Sequence, residues 1–73
     1  MKKIYKLEDL DCAHCAAKME KAIAKLDGVE AVSISFLSQK MTVSFAENAN
    51  MDAIMKEACA ICKKIEPDCR IIL

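Results

Sequence analysis

The sequence has few of the residues that mark loops, stacking surfaces and membrane spans. It contains one glycine, one proline, no tryptophan, one tyrosine and two phenylalanines among 73 residues. So few aromatic side chains exclude the stacking platforms on which proteins bind single-stranded nucleic acids. The longest apolar run has five residues, from Ala58 to Cys62, and crossing a bilayer takes roughly 18–20. We therefore expect neither nucleic-acid binding nor direct membrane insertion.

Neither sign of charge dominates. Eleven basic and eleven acidic residues cancel, and no run of Lys or Arg is longer than a pair, which excludes the basic surface of a nucleic-acid-binding protein. The lysines near the N-terminus are not followed by an apolar segment of signal-peptide length. The five cysteines, an odd number without a secretion signal, favour reduced thiols and a cytoplasmic location.

The length predicts a single domain over residues 1–73. A chain of this size buries only roughly 60–65% of the surface that it exposes when unfolded, which leaves little room for the walls of a catalytic cleft. The sequence therefore favours a binding module, and we expect the domain itself not to be an enzyme.

The hydrophobic periodicity changes four times along the chain between strand and helix spacing, and each change marks the start of a new predicted segment. Period-2 spacing indicates strands over 3–10, in a hairpin that turns near Ser38-Gln39, and over 68–72. Helical spacing indicates helices from Ala13 to Asp27-Gly28 and from Met51 to Ile65, before Pro67. The predicted buried faces contain Tyr5 and Leu7; Ala16, Met19, Ile23 and Leu26; Val32, Ile34, Phe36, Met41, Val43 and Phe45; and Met51, Ile54, Ala58, Ile61 and Ile65.

This order of elements is the split βαβ pattern. Two right-handed crossovers place both helices on one face of a four-stranded antiparallel sheet. The predicted fold class is therefore α+β, with a ferredoxin-like βαββαβ topology.

Cys12 and Cys15 lie where the first strand gives way to the first helix. Their spacing lets both sulfurs face the same side of the first helical turn, and the helix N-terminus favours the thiolate form. Thiolates bind Cu(I), Zn(II) and similar soft or borderline ions. The residues alone leave metal binding, thiol–disulfide chemistry and a purely structural role open.

Residues 4–32 resemble the heavy-metal-associated domain family. The resemblance rests on Leu10-Asp11-Cys12-Ala13-His14-Cys15, on the apolar spacing of the first helix and on Gly28-Val29, and the later elements follow the same order. It implies a ferredoxin-like fold and a metal ion bound by Cys12 and Cys15. In place of the usual Gly-Met before the first cysteine, this chain has Asp9-Leu10, so that Leu10 keeps an apolar plug beneath the loop.

Asp11 resembles the residue found before the first cysteine in zinc-, cadmium- and lead-transporting P-type ATPases. A carboxylate beside two thiolates favours a divalent ion over two-coordinate Cu(I), and the charges in Glu66-Pro67-Asp68 agree. We therefore expect Zn²⁺, Cd²⁺ or Pb²⁺ bound by Cys12, Cys15 and Asp11, with Cu⁺ as the alternative. A helix-capping role is equally open for Asp11. The resemblance implies that the chain is a domain of such an ATPase, whose partners are the transmembrane part of the same ATPase or a metallochaperone. The alternative is that the chain is itself a free copper or zinc chaperone.

The remaining thiols and the histidine give weaker signals. Cys59 and Cys62 form a second C-x-x-C inside the second helix; Cys62 falls on the apolar stripe and Cys59 at its margin. They are secondary candidates for metal ligands, although the gap to Cys15 is far longer than the roughly 15–20 residues typical of four-cysteine zinc sites. Cys69 is either core or a further thiol near the loop. His14, Lys18, Lys21 and Lys25 are expected at the surface. Metal ligation or a partner contact is the alternative for His14, and the lysines could guide an acidic partner.

Two other functions compete with metal delivery. A thiol–disulfide oxidoreductase would use the same cysteine pair, but the residue after Cys12 is neither proline nor glycine, and the chain is short for such an enzyme. A structural zinc module would unfold when a chelator removes its metal. We expect the domain to stay folded, because the strand faces and helix stripes already supply a core.

Overall fold

The computed structural model describes all residues from Met1 to Leu73. Its elements are β1 (Lys2–Glu8), α1 (Ala13–Ala24), β2 (Val29–Ser35), β3 (Lys40–Phe45), α2 (Met51–Ile65) and β4 (Arg70–Ile72). All strand pairs are antiparallel, and the order in the sheet is β2-β3-β1-β4. The predicted ferredoxin-like fold is confirmed. Because β1 pairs with β4, the β1–α1 and α2–β4 loops lie at the same end of the sheet.

The helices pack their apolar stripes on one face of the sheet. Fourteen buried residues form a single core, and none of them is charged. The core consists of Leu7, Leu10, Ala16, Met19, Ile23, Met41, Val43, Phe45, Ile54, Met55, Ala58, Cys62, Cys69 and Ile71. The predicted helical and strand periodicities are confirmed at most positions. In α2, however, Cys62 is fully buried whereas Ile61 and Ile65 are half-buried.

Two elements, β1 and α1, end earlier in the chain than predicted. β1 ends at Glu8 instead of residue 10, because Asp9 adopts a left-handed φ of 60° that leaves the extended conformation. α1 ends at Ala24 instead of reaching Asp27, because Lys25 donates its backbone N–H to Ala22, three residues back, in a tighter last turn.

The last strand is also shorter than predicted. α2 ends at Ile65, as Pro67 indicates, and the backbone N–H of Glu66 still donates to the Cys62 carbonyl at 2.8 Å. The chain then turns, with the Cys69 N–H donating to the Glu66 carbonyl at 3.0 Å, before β4 begins at Arg70. Neither helix combines the length and apolar character that a membrane span needs.

Candidate metal site

Cys12 caps the N-terminus of α1. Its backbone is extended (φ −131°, ψ 115°), and its Sγ accepts a hydrogen bond from the backbone N–H of Cys15 at 3.2 Å. The Cys12 carbonyl accepts the first helical hydrogen bond, from Ala16, at 3.0 Å. Both cysteines are half-buried and carry free thiols. The local sequence thus folds so that the first sulfur occupies the position of a capping oxygen.

The two thiols of the pair differ in the direction of their pKa shifts. The Cys15 thiol hydrogen bond lowers the pKa of Cys12, and the backbone N–H groups of Cys15 and His14 lower it further, against burial and the charge of Glu66. The same hydrogen bond to Cys12, together with burial and the charges of Cys12 and Glu66, raises the pKa of Cys15 to about 11. The pKa of Cys12 therefore shifts in the direction that its place at the helix N-terminus predicts, whereas the pKa of Cys15 shifts the other way.

The lowered pKa of Cys12 and the burial of Cys62 and Cys69 predict an order of chemical modification. We expect iodoacetamide at pH 7 to label Cys12 more than about tenfold faster than Cys62 or Cys69, because the thiolate is the nucleophile and the other two side chains are each 1% exposed. Time-resolved peptide mass spectrometry measures the order. In guanidinium chloride all five thiols should react at similar rates, and faster labelling of Cys62 than of Cys12 in the folded domain would contradict the assignment.

Glu66 brings a carboxylate to the cysteine pair from the α2–β4 loop. Its charge is one of the causes that raise the pKa of Cys15 and of Cys69, and it opposes the lowering of the pKa of Cys12. Its Oε2 is buried and has no hydrogen-bond partner, which is costly for a carboxylate unless a ligand satisfies it. The charge of this segment was expected to suit a divalent ion, but Glu66 itself was not predicted as a site residue. One feature of the sequence could have indicated it: the βαββαβ order places the α2–β4 loop, which contains Glu66, beside the β1–α1 loop.

Asp11 lies at the exposed rim of the loop. Its charge and that of Asp9 contribute to raising the pKa of Cys69, so both carboxylates lie on the same side of the domain as that thiol. The side chains as arranged contain no group of three or more Cys, His, Asp or Glu residues that could hold a metal ion. Among these candidate ligands the structure joins only Cys12 and Cys15, through the hydrogen bond from the Cys15 N–H to the Cys12 Sγ.

The secondary candidates lie mainly in the core. Cys62 is fully buried, as the helical stripe predicts, and burial next to Cys69 and Cys59 raises its pKa to about 12. Burial also raises the pKa of the half-buried Cys59, although Lys63 opposes the effect. Cys69 is buried, and burial raises its pKa as well. The two C-x-x-C pairs do not form a four-thiol cluster. His14, Lys18, Lys21 and Lys25 are exposed, as predicted.

Comparison with known proteins identifies this arrangement. The sequence model of the heavy-metal-associated domain matches residues 4–67. The copper chaperone CopZ of Enterococcus hirae is 34% identical over 53 residues, which cover 73% of this chain and 75% of CopZ. A probable cadmium-transporting ATPase of Alkalihalophilus pseudofirmus is 32% identical over 66 residues, which cover 90% of this chain and 9% of the ATPase. The solved CsoZ metallochaperone matches the fold with a TM-score of 0.76 at 19% identity, covering all of this chain and 97% of that one.

The fold and the site together define a class of protein, the small ferredoxin-like domains with a cysteine pair at a helix N-terminus. The chain belongs to the heavy-metal-associated domain family. It is therefore a metal-binding domain, related both to copper chaperones and to cadmium-transporting ATPases. It spans three quarters of the chaperone but only 9% of the ATPase.

Proposed function

We propose that Cys12 and Cys15 hold one soft or borderline metal ion as cargo, and that the domain receives and passes on this ion. The observation that carries the proposal is the pair of free, half-buried thiols at the N-terminus of α1, where the Cys12 sulfur accepts a hydrogen bond from the Cys15 N–H and has a lowered pKa. When a metal ion binds, the thiol protons are released to solvent and both sulfurs bind as thiolates. The loop is open at the edge of the domain, so that an incoming ligand can join the ion before a cysteine leaves.

We further propose that the cargo is divalent: Zn²⁺, Cd²⁺ or Pb²⁺. Such ions take three or four donors, whereas Cu(I) is satisfied by two thiolates. Glu66 is the candidate third ligand, because its buried Oε2 has no partner and its charge already acts on both cysteines. Asp11, at the exposed rim, is the candidate fourth. Cu⁺ is the second candidate cargo, favoured by the identity to CopZ.

Carboxylate substitutions should separate divalent from monovalent cargo. We expect Glu66→Gln to weaken Zn(II) and Cd(II) binding by about ten- to a hundredfold and to leave Cu(I) affinity within about threefold, since only the divalent ion uses the oxygen. Asp11→Ala should act in the same direction and less strongly, because this side chain is exposed. Competition titrations followed by native mass spectrometry measure all three ions.

Asp68→Asn is the matched control for these variants, because Asp68 is an exposed acid in the same loop as Glu66. It should leave every affinity within about twofold. Unchanged Zn(II) and Cd(II) affinity in Glu66→Gln would reject Glu66 as a ligand. Unchanged Zn(II) and Cd(II) affinity in Asp11→Ala would independently reject Asp11 as a ligand. If Glu66→Gln weakens Cu(I) binding as much as it weakens Zn(II) and Cd(II) binding, the proposed preference for divalent ions is rejected.

We propose that the domain serves a metal-transporting P-type ATPase, on the cytoplasmic side of its membrane. The support is the identity to cadmium-transporting ATPases over about nine tenths of this chain and the carboxylates beside the thiols. Its partners would then be the transmembrane part of the pump or a chaperone that delivers metal. Sequencing the coding region on both sides of the domain tests this proposal: adjoining membrane spans support the pump, and a free-standing reading frame supports a chaperone.

A further inference from the structure

Gln39 connects the β2–β3 turn to the chain that leads into the cysteine loop. Its backbone carbonyl accepts a hydrogen bond from the Leu7 N–H at 2.8 Å. Its side-chain Oε1 accepts from the Leu10 N–H at 3.0 Å, and its Nε2 donates to the Leu10 carbonyl at 2.8 Å. The same Nε2 donates to the Phe36 carbonyl, also at 2.8 Å. One half-buried side chain thus binds both polar backbone groups of Leu10.

Leu10 needs such a partner because of where it lies. β1 ends at Glu8, and the left-handed backbone of Asp9 takes Leu10 out of the sheet, so its N–H and carbonyl have no strand to pair with. Leu10 is only 2% exposed, which leaves water little access to these groups. A buried backbone group without a partner is strongly disfavoured. The amide of Gln39 supplies one acceptor and one donor, the pair that Leu10 requires.

We propose that Gln39 is a positioning residue for the metal loop. By fixing Leu10, it sets the direction in which the chain enters Asp11 and Cys12, and thereby holds the Cys12 sulfur at the helix N-terminus, ready for metal. The proposal rests on the proposed metal site at Cys12 and Cys15. The proposal also gives the β2–β3 hairpin a role in metal affinity, although the hairpin contributes no ligand. An Asn side chain would be one methylene too short for this contact. A Glu side chain would have no N–H group to donate to the Leu10 and Phe36 carbonyls.

Gln39→Gly is the sharpest test. The backbone φ of Gln39 is 54°, a conformation that glycine adopts without strain, so the variant keeps the turn and the backbone bond to Leu7 while removing the amide. We expect Cd(II) to bind about tenfold more weakly, the low end of the usual effect of groups that orient metal ligands. Hydrogen exchange at the Leu10 amide should accelerate as well. Titration with Cd(II) alone, followed by the sulfur-to-metal absorbance, measures affinity at a temperature where the domain is folded.

Asn50→Ala provides a control that lowers stability at a distance from the loop. It removes the N-cap of α2, where Asn50 Oδ1 accepts from the Ala53 N–H at 3.1 Å, at the other end of that helix from Glu66. This change lowers stability without touching the loop. Cd(II) affinity that falls in Gln39→Gly and is kept in Asn50→Ala supports positioning. Equal affinities in the two variants overturn it, because Gln39 would then act on stability alone.

Two further variants keep the test decisive. Gln39→Glu retains the acceptor for the Leu10 N–H and loses the donor, so it should also bind Cd(II) more weakly; if Gln39→Gly does not fold, this variant decides the question, and wild-type affinity in it overturns the proposal. Cys12→Ser/Cys15→Ser reports on the proposed metal site itself. Affinity that survives the serine variant refutes that site, whereas affinity lost there and kept in the Gln39 variants refutes only the positioning role.

Discussion

Replacing Cys12 and Cys15 together with serine is expected to lower Zn(II) and Cd(II) affinity by at least about a thousandfold, which corresponds to about 4 kcal/mol of binding free energy. Serine has nearly the same shape, but its hydroxyl does not become an anion near neutral pH and is a poor ligand for soft ions. Both cysteines are half-buried at the edge of the core, so the fold should persist. Isothermal titration with each metal measures the loss.

Cys59→Ser is the matched control for the double variant. Cys59 is a free, half-buried thiol like the other two, but it lies within α2. Its replacement should leave metal affinity within about threefold, because the structure places it in no group of metal-binding side chains. A comparable loss in Cys59→Ser would return this thiol to the set of ligands. Full retention of binding in the double variant would refute a metal site at Cys12 and Cys15.

Gly28→Ala is expected to lower the free energy of unfolding by about 3 kcal/mol. The backbone φ of Gly28 is 94°, which an L side chain adopts only at a cost of about 1–2 kcal/mol. A Cβ at this position would lie 2.8 Å from Ile54 Cδ1 and 3.3 Å from Ala49 Cβ. Ile54 is buried, so its displacement adds an overpacking cost of about 1–3 kcal/mol. Urea denaturation followed by circular dichroism measures the change.

Asn48→Gly serves as the comparison for Gly28→Ala. Asn48 also has a left-handed φ, of 71°, and its side chain is exposed. Glycine relieves the backbone there, so the stability should change by less than about 1 kcal/mol. If Gly28→Ala unfolds at the same urea concentration as the wild type, then neither the left-handed backbone nor the close packing against Ile54 accounts for glycine at this position.

Much of the fold could be predicted because the hydrophobic pattern over short stretches of sequence determines which elements form and which faces they bury. Met19 and Ile23 recur at helical spacing, and Met41, Val43 and Phe45 recur at strand spacing; all five are buried. Their periodicity alone orients each element toward a core. The boundaries were predicted less well, at Asp9 for example, because a left-handed residue that ends a strand leaves no mark in the hydrophobic pattern when it is not glycine.

The cysteine pair could be predicted from the sequence, since its two members are three residues apart at a change of period. Their opposite pKa shifts could not, because these depend on how the two side chains lie against each other in the folded loop and on the charge of Glu66. Cys62 was expected in the core from its position on the helical stripe, whereas Cys69 could not be ranked, and only the packed structure buries it.

By itself the sequence determined the order of the elements, the faces that they bury and the placing of two thiols at a helix N-terminus, because these properties depend on residues within a turn or two of one another. Only the tertiary structure decided that Glu66 faces those thiols and that Gln39 holds Leu10 across a separation of 29 residues. Such contacts form when distant loops meet at one end of the sheet, and no local spacing encodes which side chains then lie within hydrogen-bonding distance.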